Sequence, residues 1–257
     1  MPPSSWPFLD APGVLAFAHR GAHGPDAGGA AENTMAAYEA AVRMGYRYVE
    51  TDVHRTADGV LVAFHDDVLD RVTDRSGRIA DLSWSAVAEA RLAGGEGVPR
   101  CDELLVAWPE RRVNVDPKAD DAVDPLADAL ERTGAVGRVC VGSFSGVRLR
   151  RLRRRLGPGL CTSLGPLGTA RLRAASLGVP SGRLPAACAQ VPVRTSRVTL
   201  VDRRFVEAAH RRDLQVHVWT VDDRGEMERL VDLGVDGLMT DRPALLKEVL
   251  EVRGLWA

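Results

Sequence analysis

The sequence predicts an α/β fold, a (β/α)8 TIM barrel with a small insertion after the second strand. Eight short apolar runs are separated from one another by longer stretches in which apolar residues have helical spacing. Alternation of strand and helix is typical of a parallel sheet, and eight such units favour a closed barrel over an open sheet. The length of 257 residues suits this fold, because α/β barrels of roughly 250 residues commonly form one domain.

The predicted strands are runs rich in Val, Leu, Ala and Cys. In chain order they are 14–18, 48–53, 112–116, 138–142, 159–163, 187–191, 214–219 and 236–240. The amphipathic helices predicted between them are 34–44, 122–132, 145–156, 168–177, 202–212 and 224–233. Several of these helices end at or near a glycine, which is a common helix terminator.

Two regions depart from the alternation. Asp58 and Gly59 predict a turn, and the apolar run 61–64 after them predicts a further strand. The stretch from about 65 to 109 is too long for an ordinary loop, so we expect a small insertion over one face of the barrel. The run 197–200 has no place among the eight strands, and we interpret it as part of a loop or as an extra edge segment.

We assign residues 14–251 to one domain and residues 1–13 to an N-terminal extension. The formal net charge is −1, from 34 Lys and Arg residues against 35 Asp and Glu residues. This balance excludes a protein built to coat nucleic acid or an anionic membrane over its whole surface. Hydrophobic residues make up 45% of the chain, enough for a sizeable core, and no apolar run approaches the ~18 residues of a membrane span.

The cysteines and the N-terminus predict a cytoplasmic protein. Four cysteines are widely spaced, without the pattern of a disulfide framework or a metal site. The first residues lack a basic segment followed by a long apolar one, so we expect no secretory signal.

Carboxylates are predicted at the ends of two neighbouring strands. Catalytic groups of a TIM barrel gather at the carboxyl ends of its strands. Glu50 and Asp52 lie at the end of the second strand and point to the same face, because strand side chains alternate. Asp116 ends the third strand. These carboxylates, without cysteine or a His-x-His spacing, favour Mg²⁺ or Ca²⁺ over zinc.

Cationic and titratable residues lie at the same strand ends. Only two of the 34 basic residues are lysines, and one of them, Lys118, stands beside the carboxylates, where it could hold an anionic oxygen. His19 and His65, at predicted strand ends, could transfer protons near neutral pH. Two histidines, a metal and basic groups together suit in-line attack at phosphorus.

The order of motifs resembles the glycerophosphodiester phosphodiesterase family. The matching segments are AHRG (18–21), ENT (32–34), VETDVHRTADGVLVAFHD (49–66), LDRVTDRSGRIADLS (69–83), VPRCDELL (98–105), NVDPK (114–118), VHVWTVD (216–222) and DGLMTDRP (236–243). They are collinear and cover the chain from about Val14 to Val249. Such a combination is much more specific than any one of its motifs.

The resemblance implies a role for each matching residue. It implies that His19 and His65 are the acid/base pair. It implies that Glu50, Asp52 and Asp116 are metal ligands, although the family commonly has Glu at the position of Asp116. It implies further that Arg20 and Lys118 bind phosphate, that Glu32 lines the mouth and that Trp219 lies against the substrate. For Trp219, core packing is the alternative interpretation.

The implied activity is metal-dependent hydrolysis of a small-molecule glycerophosphodiester to glycerol 3-phosphate and an alcohol. In the family mechanism, the free glycerol hydroxyl attacks phosphorus, the alcohol leaves, and water opens the resulting cyclic phosphate. The loop 22–31 is glycine-rich, and Ala31 replaces the family's usual proline, so the leaving-group preference is left open. The head group and the oligomeric state also stay open.

Two other functions remain as alternatives. One is a lysophospholipase D-like enzyme, which would need an apolar, open mouth. The other is a catalytically silent barrel that binds a phosphoester, against which the intact His19, His65, Glu50 and Asp52 argue. The arginine cluster between Arg148 and Arg155 is interpreted as the solvated face of an outer helix, with a weak membrane-surface or nucleic-acid contact as its alternative. We expect no nucleic-acid partner and no stable membrane insertion.

Overall fold

The computed structural model describes residues 6–25, 28–195 and 199–256, which form a parallel barrel surrounded by helices. The strands are β1 (Leu15–Ala18), β2 (Tyr48–Arg55), β3 (Leu61–Ala63), β4 (Arg112–Pro117), β5 (Val139–Val141), β6 (Cys161–Thr162), β7 (Cys188–Pro192), β8 (Gln215–Trp219) and β9 (Gly237–Thr240). Strand β3 is the predicted additional strand and pairs antiparallel with β2. The other eight coincide with the predicted barrel strands, so the predicted fold is confirmed.

The strands follow the order β6-β5-β4-β2-β1-β9-β8-β7 around the barrel. The last strand therefore lies beside the first, with Ala18 in register with Thr240. Between β6 and β7 a parallel bridge joins Ser163 to Cys188, and the Leu164 N–H donates to the Cys188 carbonyl at 2.8 Å. This contact closes the barrel. All eight carboxyl ends then meet at one rim, which is where catalytic groups gather in this fold.

The helices alternate with the strands as predicted. They are α1 (Met35–Arg43), α2 (Trp84–Val87), α3 (Cys101–Ala107), α4 (Val123–Arg132), α5 (Gly146–Leu156), α6 (Pro166–Ser176), α7 (Arg203–His210), α8 (Arg224–Leu233) and α9 (Pro243–Val252). Asp202 and Asp223 cap α7 and α8 by accepting backbone N–H groups of the first turn, which satisfies donors that a helix start leaves unpaired. Gly234, with φ of 89°, ends α8 in the left-handed conformation that glycine adopts without strain.

The interior of the barrel is filled at its lower end, away from the rim. Phe8, from the N-terminal segment, is fully buried there and packs edge-on against Tyr48, with ring centroids 5.3 Å apart. The Tyr48 hydroxyl donates to the Phe8 carbonyl at 2.8 Å. Burying a phenylalanine side chain stabilises the folded state by about 1.5–3 kcal/mol. The segment that precedes the first strand is therefore part of the barrel's core packing.

The stretch between β3 and β4 contains the predicted insertion. Its first part has a small core of its own, which includes Phe64, Leu69 and Ile79. Helix α3, which the sequence pattern did not predict, lies in the same stretch, but Leu104 and Leu105 bury their side chains in the main core between barrel and helices. The insertion proper therefore ends before α3.

The run 197–200 lies only partly within the described residues. Arg197 and Val198 are outside them. Thr199 forms an antiparallel bridge with Arg194, and the Leu200 N–H donates to the Val193 carbonyl at 3.0 Å. The described part of this run therefore belongs to the loop after β7.

The arginine-rich face of α5 packs beside acidic residues of α4 and of the short turn that precedes it. The ion pairs, at 2.6–2.9 Å, are Arg148 with Asp120 in that turn, and Arg151 with Asp124 and Arg155 with Asp128 in α4. Leu149 and Leu152 are buried on the opposite side of α5. This arrangement agrees with an outer barrel helix, on which Arg148, Arg151 and Arg155 are ion-paired within the protein.

Candidate active site

A cavity of about 620 Å³ opens at the carboxyl ends of the strands. Eight of the nine predicted site residues line it, namely His19, Arg20, Glu50, Asp52, His65, Asp116, Lys118 and Trp219. Glu32 does not line the cavity and lies behind Arg20, to which it is ion-paired at 3.0 Å. The structure thus brings the residues at the ends of β1, β2, β4 and β8 to one place.

His19 follows β1 directly and is held by a carboxylate from the neighbouring last strand. Because Ala18 and Thr240 are register partners, the next residues, His19 and Asp241, lie side by side. The His19 Nδ1 donates to Asp241 Oδ1 at 2.6 Å, and its Nε2 lies 3.8 Å from Glu50 Oε2. A carboxylate can only accept, so this contact places the proton on Nδ1 in neutral His19 and leaves Nε2 for proton transfer.

The surroundings of His19 favour its charged form. Burial alone lowers the pKa of His19, but the negative charge of Glu50 and the hydrogen bond to Asp241 outweigh burial and raise the pKa above its ordinary value. His23 Nε2 also contacts Asp241 Oδ1, at 3.1 Å. Burial raises the pKa of Asp241, yet the hydrogen bonds from His19 and His23 more than offset that and lower it.

Arg20 turns the chain at the mouth of the cavity. Its φ of 54° is left-handed, which costs a non-glycine residue about 1–2 kcal/mol. The Arg20 backbone N–H donates to Glu50 Oε2 at 3.1 Å, and its guanidinium lies between Glu32 and Asp52. The strained conformation is thus offset by contacts that fix both the Glu50 carboxylate and a guanidinium beside the cavity.

Lys118 lies between two carboxylates. Asp52 on β2 and Asp116 on β4 are direct register partners. Lys118 Nζ is 2.6 Å from Asp52 Oδ1 and 3.1 Å from Asp116 Oδ2. Burial lowers the pKa of Lys118, but the charges of Asp52 and Asp116 outweigh burial and raise it. Lys118 therefore stays a cation at the floor of the cavity.

Glu50 and Asp52 are two buried carboxylates on the same face of β2, and the charge of Asp52 acts on Glu50. Burial, and next the charge of Asp52, raise the pKa of Glu50 from its ordinary value to about 7. Asp52 Oδ2 is buried and makes no hydrogen bond. Buried oxygen ligands of this kind fit a hard divalent cation in chemistry. Among the described residues, however, no group of three or more His, Cys, Asp or Glu side chains is already arranged around a metal position. Asp116, the predicted third ligand, pairs with Lys118.

His65 is also held through Nδ1 by a carboxylate. It follows β3, and its Nδ1 donates to Asp66 Oδ1 at 2.6 Å. Its backbone carbonyl accepts from His54 Nε2 at 3.0 Å. Both cavity histidines thus have an aspartate on Nδ1, which leaves Nε2 as the atom for proton transfer in each.

The cavity also has apolar side chains, which come from the segments at β5 to β8. Trp219 and Phe144 meet edge to face, with ring centroids 5.7 Å apart. Phe144 is 69% exposed at the rim. Further apolar residues that line the cavity are Leu164, Pro166, Val191 and Leu200. Trp219 therefore packs against the core and also lines the cavity. This position agrees both with core packing and with contact to a substrate, the two roles considered from the sequence.

The structure adds three residues that the sequence analysis did not single out: Asp66, Arg71 and Asp241. Asp241 directly follows the last predicted strand, and closure of the barrel places that strand beside the first. The position of Asp241 in the sequence could therefore have identified it as a site residue. Asp66 adjoins His65 in the chain, but nothing in the spacing indicated that Arg71 contacts it.

The fold and the cavity together define a TIM-barrel enzyme with paired histidines and cations at the strand ends, a set suited to phosphoester chemistry. The model of the glycerophosphoryl diester phosphodiesterase family matches residues 19–245. The chain belongs to this family. The family and enzyme class inferred from the motifs are confirmed.

Relatives agree with this assignment, and solved structures have the same fold. The chain is 39% identical to a probable glycerophosphodiester phosphodiesterase 2 of Mycobacterium tuberculosis, over 97% of this chain and 95% of the relative. It is 27% identical to the human lysophospholipase D GDPD1, over 91% and 85% of the two chains. The fold superposes with a TM-score of 0.80 on a Silicibacter pomeroyi structure described as a putative glycerophosphoryl diester phosphodiesterase, at 23% identity and 99% coverage of both chains.

An Oleispira antarctica phosphodiesterase, solved with its product sn-glycerol-3-phosphate, has the same fold. Its TM-score is 0.75 at 21% identity, with 93% of this chain and 97% of that chain covered. None of the helices in the described part of this chain is long and apolar enough to cross a membrane.

Proposed function

We propose that this protein hydrolyses glycerophosphodiesters to glycerol 3-phosphate and an alcohol, with His19 and His65 as the acid/base pair and a divalent metal ion as cofactor. The observation that carries the proposal is the pair of histidines, each bonded through Nδ1 to an aspartate, at one cavity with buried carboxylates and two cations. The name of the relative from Mycobacterium tuberculosis supports the substrate class, and the product in the Oleispira antarctica structure supports the product.

Arg20 and Lys118 would bind the phosphate. Both line the cavity, and both are held in place by ion pairs with Asp52. A guanidinium and an ammonium at this position would neutralise the oxygens on which charge develops during attack at phosphorus.

The two histidines would move the protons. One Nε2 would accept the proton of the attacking glycerol hydroxyl, and the other would give a proton to the leaving alcohol oxygen. The same pair would then serve in reverse when water opens the cyclic phosphate. Asp241 and Asp66 would hold the two rings in orientation, as a carboxylate does for the histidine of hydrolase triads.

Glu50 and Asp52 would hold the metal ion, with Asp116 as the predicted further ligand. The raised pKa of Glu50 supports a cation at this point, as does Asp52 Oδ2, which makes no hydrogen bond although Arg20 Nε lies 3.3 Å from it. The ligands are all oxygens, which favours Mg²⁺ or Ca²⁺. When bound, such an ion lowers the barrier by polarising phosphoryl oxygens and acidifying a bound hydroxyl.

A second candidate function is hydrolysis of lysophospholipids. The observation that favours it is the set of apolar side chains along the cavity, which extends to the partly buried Trp219 and to Phe144, 69% exposed at the rim. Such a surface suits an acyl chain. The name of the human relative, a lysophospholipase D, points the same way.

A panel of substrates tests these alternatives. Purified protein is incubated with glycerophosphocholine, glycerophosphoethanolamine or lysophosphatidylcholine, each with Mg²⁺, Ca²⁺ or excess EDTA, and the phosphorylated products are identified. The leading proposal predicts metal-dependent release of glycerol 3-phosphate. Lysophosphatidic acid as the main product would support the second candidate. A protein that binds glycerol 3-phosphate but cleaves none of the three would be a silent binding barrel.

Location and further partners remain proposals. We infer a cytoplasmic location from the four buried free cysteines, which suit a reducing compartment. Ion pairs within the protein on the arginine-rich face of α5 support the absence of a nucleic-acid partner. Fractionation of cells and salt-dependent binding assays with RNA and vesicles would test these inferences.

A further inference from the structure

Arg71, in the insertion, binds two carboxylates at once. Its Nε and Nη2 donate to Asp66 Oδ2 and Oδ1, at 2.6 and 3.2 Å. Its Nη2 and Nη1 donate to Glu32 Oε1 and Oε2, at 2.7 and 3.1 Å. Both contacts are bidentate, the geometry in which a guanidinium binds carboxylates with the greatest directional specificity.

Each of the two carboxylates also contacts a residue of the cavity. Asp66 Oδ1 accepts from His65 Nδ1 at 2.6 Å. Glu32 Oε1 accepts from Arg20 Nη1 at 3.0 Å. A continuous chain of hydrogen bonds therefore runs from His65 through Asp66, Arg71 and Glu32 to Arg20. Arg71 is its central member and lies outside the cavity.

We propose that Arg71 is a positioning residue that sets the orientation of His65 through Asp66 and the position of Arg20 through Glu32. The inference rests on the proposed roles of His65 and Arg20 in proton transfer and phosphate binding. It also gives Glu32 a different task from the one inferred from the sequence, because Glu32 is bound on both sides by arginines and does not line the cavity.

The Arg71 side chain is 47% exposed, and the backbone on either side of it is anchored in the insertion. Arg71 lies between Leu69, which is buried in the core of the insertion, and Thr73, whose N–H donates to the Leu69 carbonyl at 3.2 Å. Arg71 also lowers the pKa of both carboxylates that it contacts. The hydrogen bond from Arg71 lowers the pKa of Asp66 to about 2, with His65 as a smaller cause, although burial opposes the shift. Burial raises the pKa of Glu32, but Arg71 and Arg20 together lower it.

The contacts of Arg71 with Asp66 (the Asp66 arm) and with Glu32 (the Glu32 arm) are expected to affect the kinetics differently. Loss of the Asp66 arm misorients the proton-transfer group, so D66N is expected to lower kcat about tenfold with little change in KM. Loss of the Glu32 arm displaces the phosphate-binding guanidinium, so E32Q is expected to raise KM about tenfold with a smaller change in kcat. R71Q removes both arms and is expected to show both effects. R71K keeps the charge but not the double bidentate contact, and is expected to recover only a part of the loss.

The experiment measures kcat and KM of wild type, D66N, E32Q, R71Q and R71K on glycerophosphocholine, and the activity of R71A with added guanidinium chloride at concentrations that leave it folded. We expect guanidinium, and not sodium chloride at equal ionic strength, to restore at least severalfold of the R71A activity. R78Q is the matched control, because Arg78 is in the same insertion and is ion-paired to Asp67 at 2.8 Å, away from the cavity. It is expected to leave both constants unchanged.

Two results would overturn the inference. One is an R71Q enzyme with wild-type kcat and KM. The other is a loss in R71Q and R71A that follows a lower fraction of folded protein, with no rescue by guanidinium. If the wild-type protein cleaves no diester, the proposed function fails. The role of Arg71 is then tested by measuring the affinity for glycerol 3-phosphate by calorimetry. In that case equal affinity in wild type, E32Q and R71Q would overturn it.

Discussion

His19 Nδ1 and Asp241 Oδ1 lie 2.6 Å apart across the seam where the last strand of the barrel meets the first. This hydrogen bond ties the ring of His19 to a group 222 residues away in sequence, and exists only because the last strand pairs with the first. It fixes which ring nitrogen faces the cavity.

D241N is expected to lower kcat by about 10–100-fold, since an amide can donate to Nδ1 and stabilise the wrong tautomer. The variant keeps the size and shape of the side chain, so folding should be preserved. Steady-state kinetics on glycerophosphocholine, with circular dichroism as a folding control, measures the effect. A folded D241N enzyme with the wild-type kcat would show that Asp241 does not orient His19.

Removal of Lys118 is expected to destabilise the protein. In K118M, Asp52 and Asp116 would face each other without the cation that now lies 2.6 and 3.1 Å from them. We expect the free energy of unfolding in EDTA to fall by about 1–3 kcal/mol. Urea denaturation measures this, with K118R as the charge-preserving comparison. Equal stability of wild type and K118M in EDTA would mean that the lysine does not neutralise this pair.

Divalent cations are expected to raise the melting temperature. An ion at about one hundred times its Kd stabilises the folded state by about 2.7 kcal/mol, which is several degrees for a chain of this size. The shift should be largest in K118M, where the cation supplies the missing positive charge. It should be small in the double variant E50Q/D52N, which lacks both buried carboxylates. An identical shift in wild type and E50Q/D52N would place the ion elsewhere.

A surface pair predicts a pH dependence of stability that is independent of catalysis. His210 Nε2 lies 2.8 Å from Asp236 Oδ2, and this hydrogen bond raises the pKa of His210 against the opposing effect of burial. A raised folded-state pKa gives stability that is fully present below the unfolded pKa of about 6.5 and is lost as the pH rises through the folded value. The pair is partly exposed, so the contribution is about 0.5 kcal/mol.

H210Q should therefore be less stable than wild type at about pH 5.5 and closer to it at about pH 8.5. Urea denaturation at both pH values measures the difference. R211Q, which removes an exposed arginine next in the chain, should show no such dependence. A deficit in H210Q that grows toward high pH would contradict the assigned sign.

The strands and most of the cavity were predictable because their signals are local. A buried strand such as Val139–Val141 is a short apolar run, and period-two alternation places Glu50 and Asp52 on one face. The rule that barrel chemistry gathers at strand ends then locates the cavity. Helices α2 and α3 were not predicted because they have only four and seven residues and lie within a long stretch without a clear helical period.

The contacts of Arg71 and Glu32 were not predictable, because they depend on how two loops from different strands pack. Glu32 follows β1 and Arg71 follows β3, and no periodicity relates the two. Sequence reasoning therefore placed Glu32 at the mouth. Only the three-dimensional structure shows that the Glu32 carboxylate is bound by Arg20 and Arg71.

The central claim is that His19 and His65 transfer the protons. Its most direct test is kcat for glycerol 3-phosphate release from glycerophosphocholine at saturating Mg²⁺ or Ca²⁺, in wild type, H19A, H65A and the surface control H210A. We predict that H19A and H65A each lower kcat by about 10²-fold or more, while H210A leaves it unchanged. A wild-type kcat in either H19A or H65A would contradict the claim.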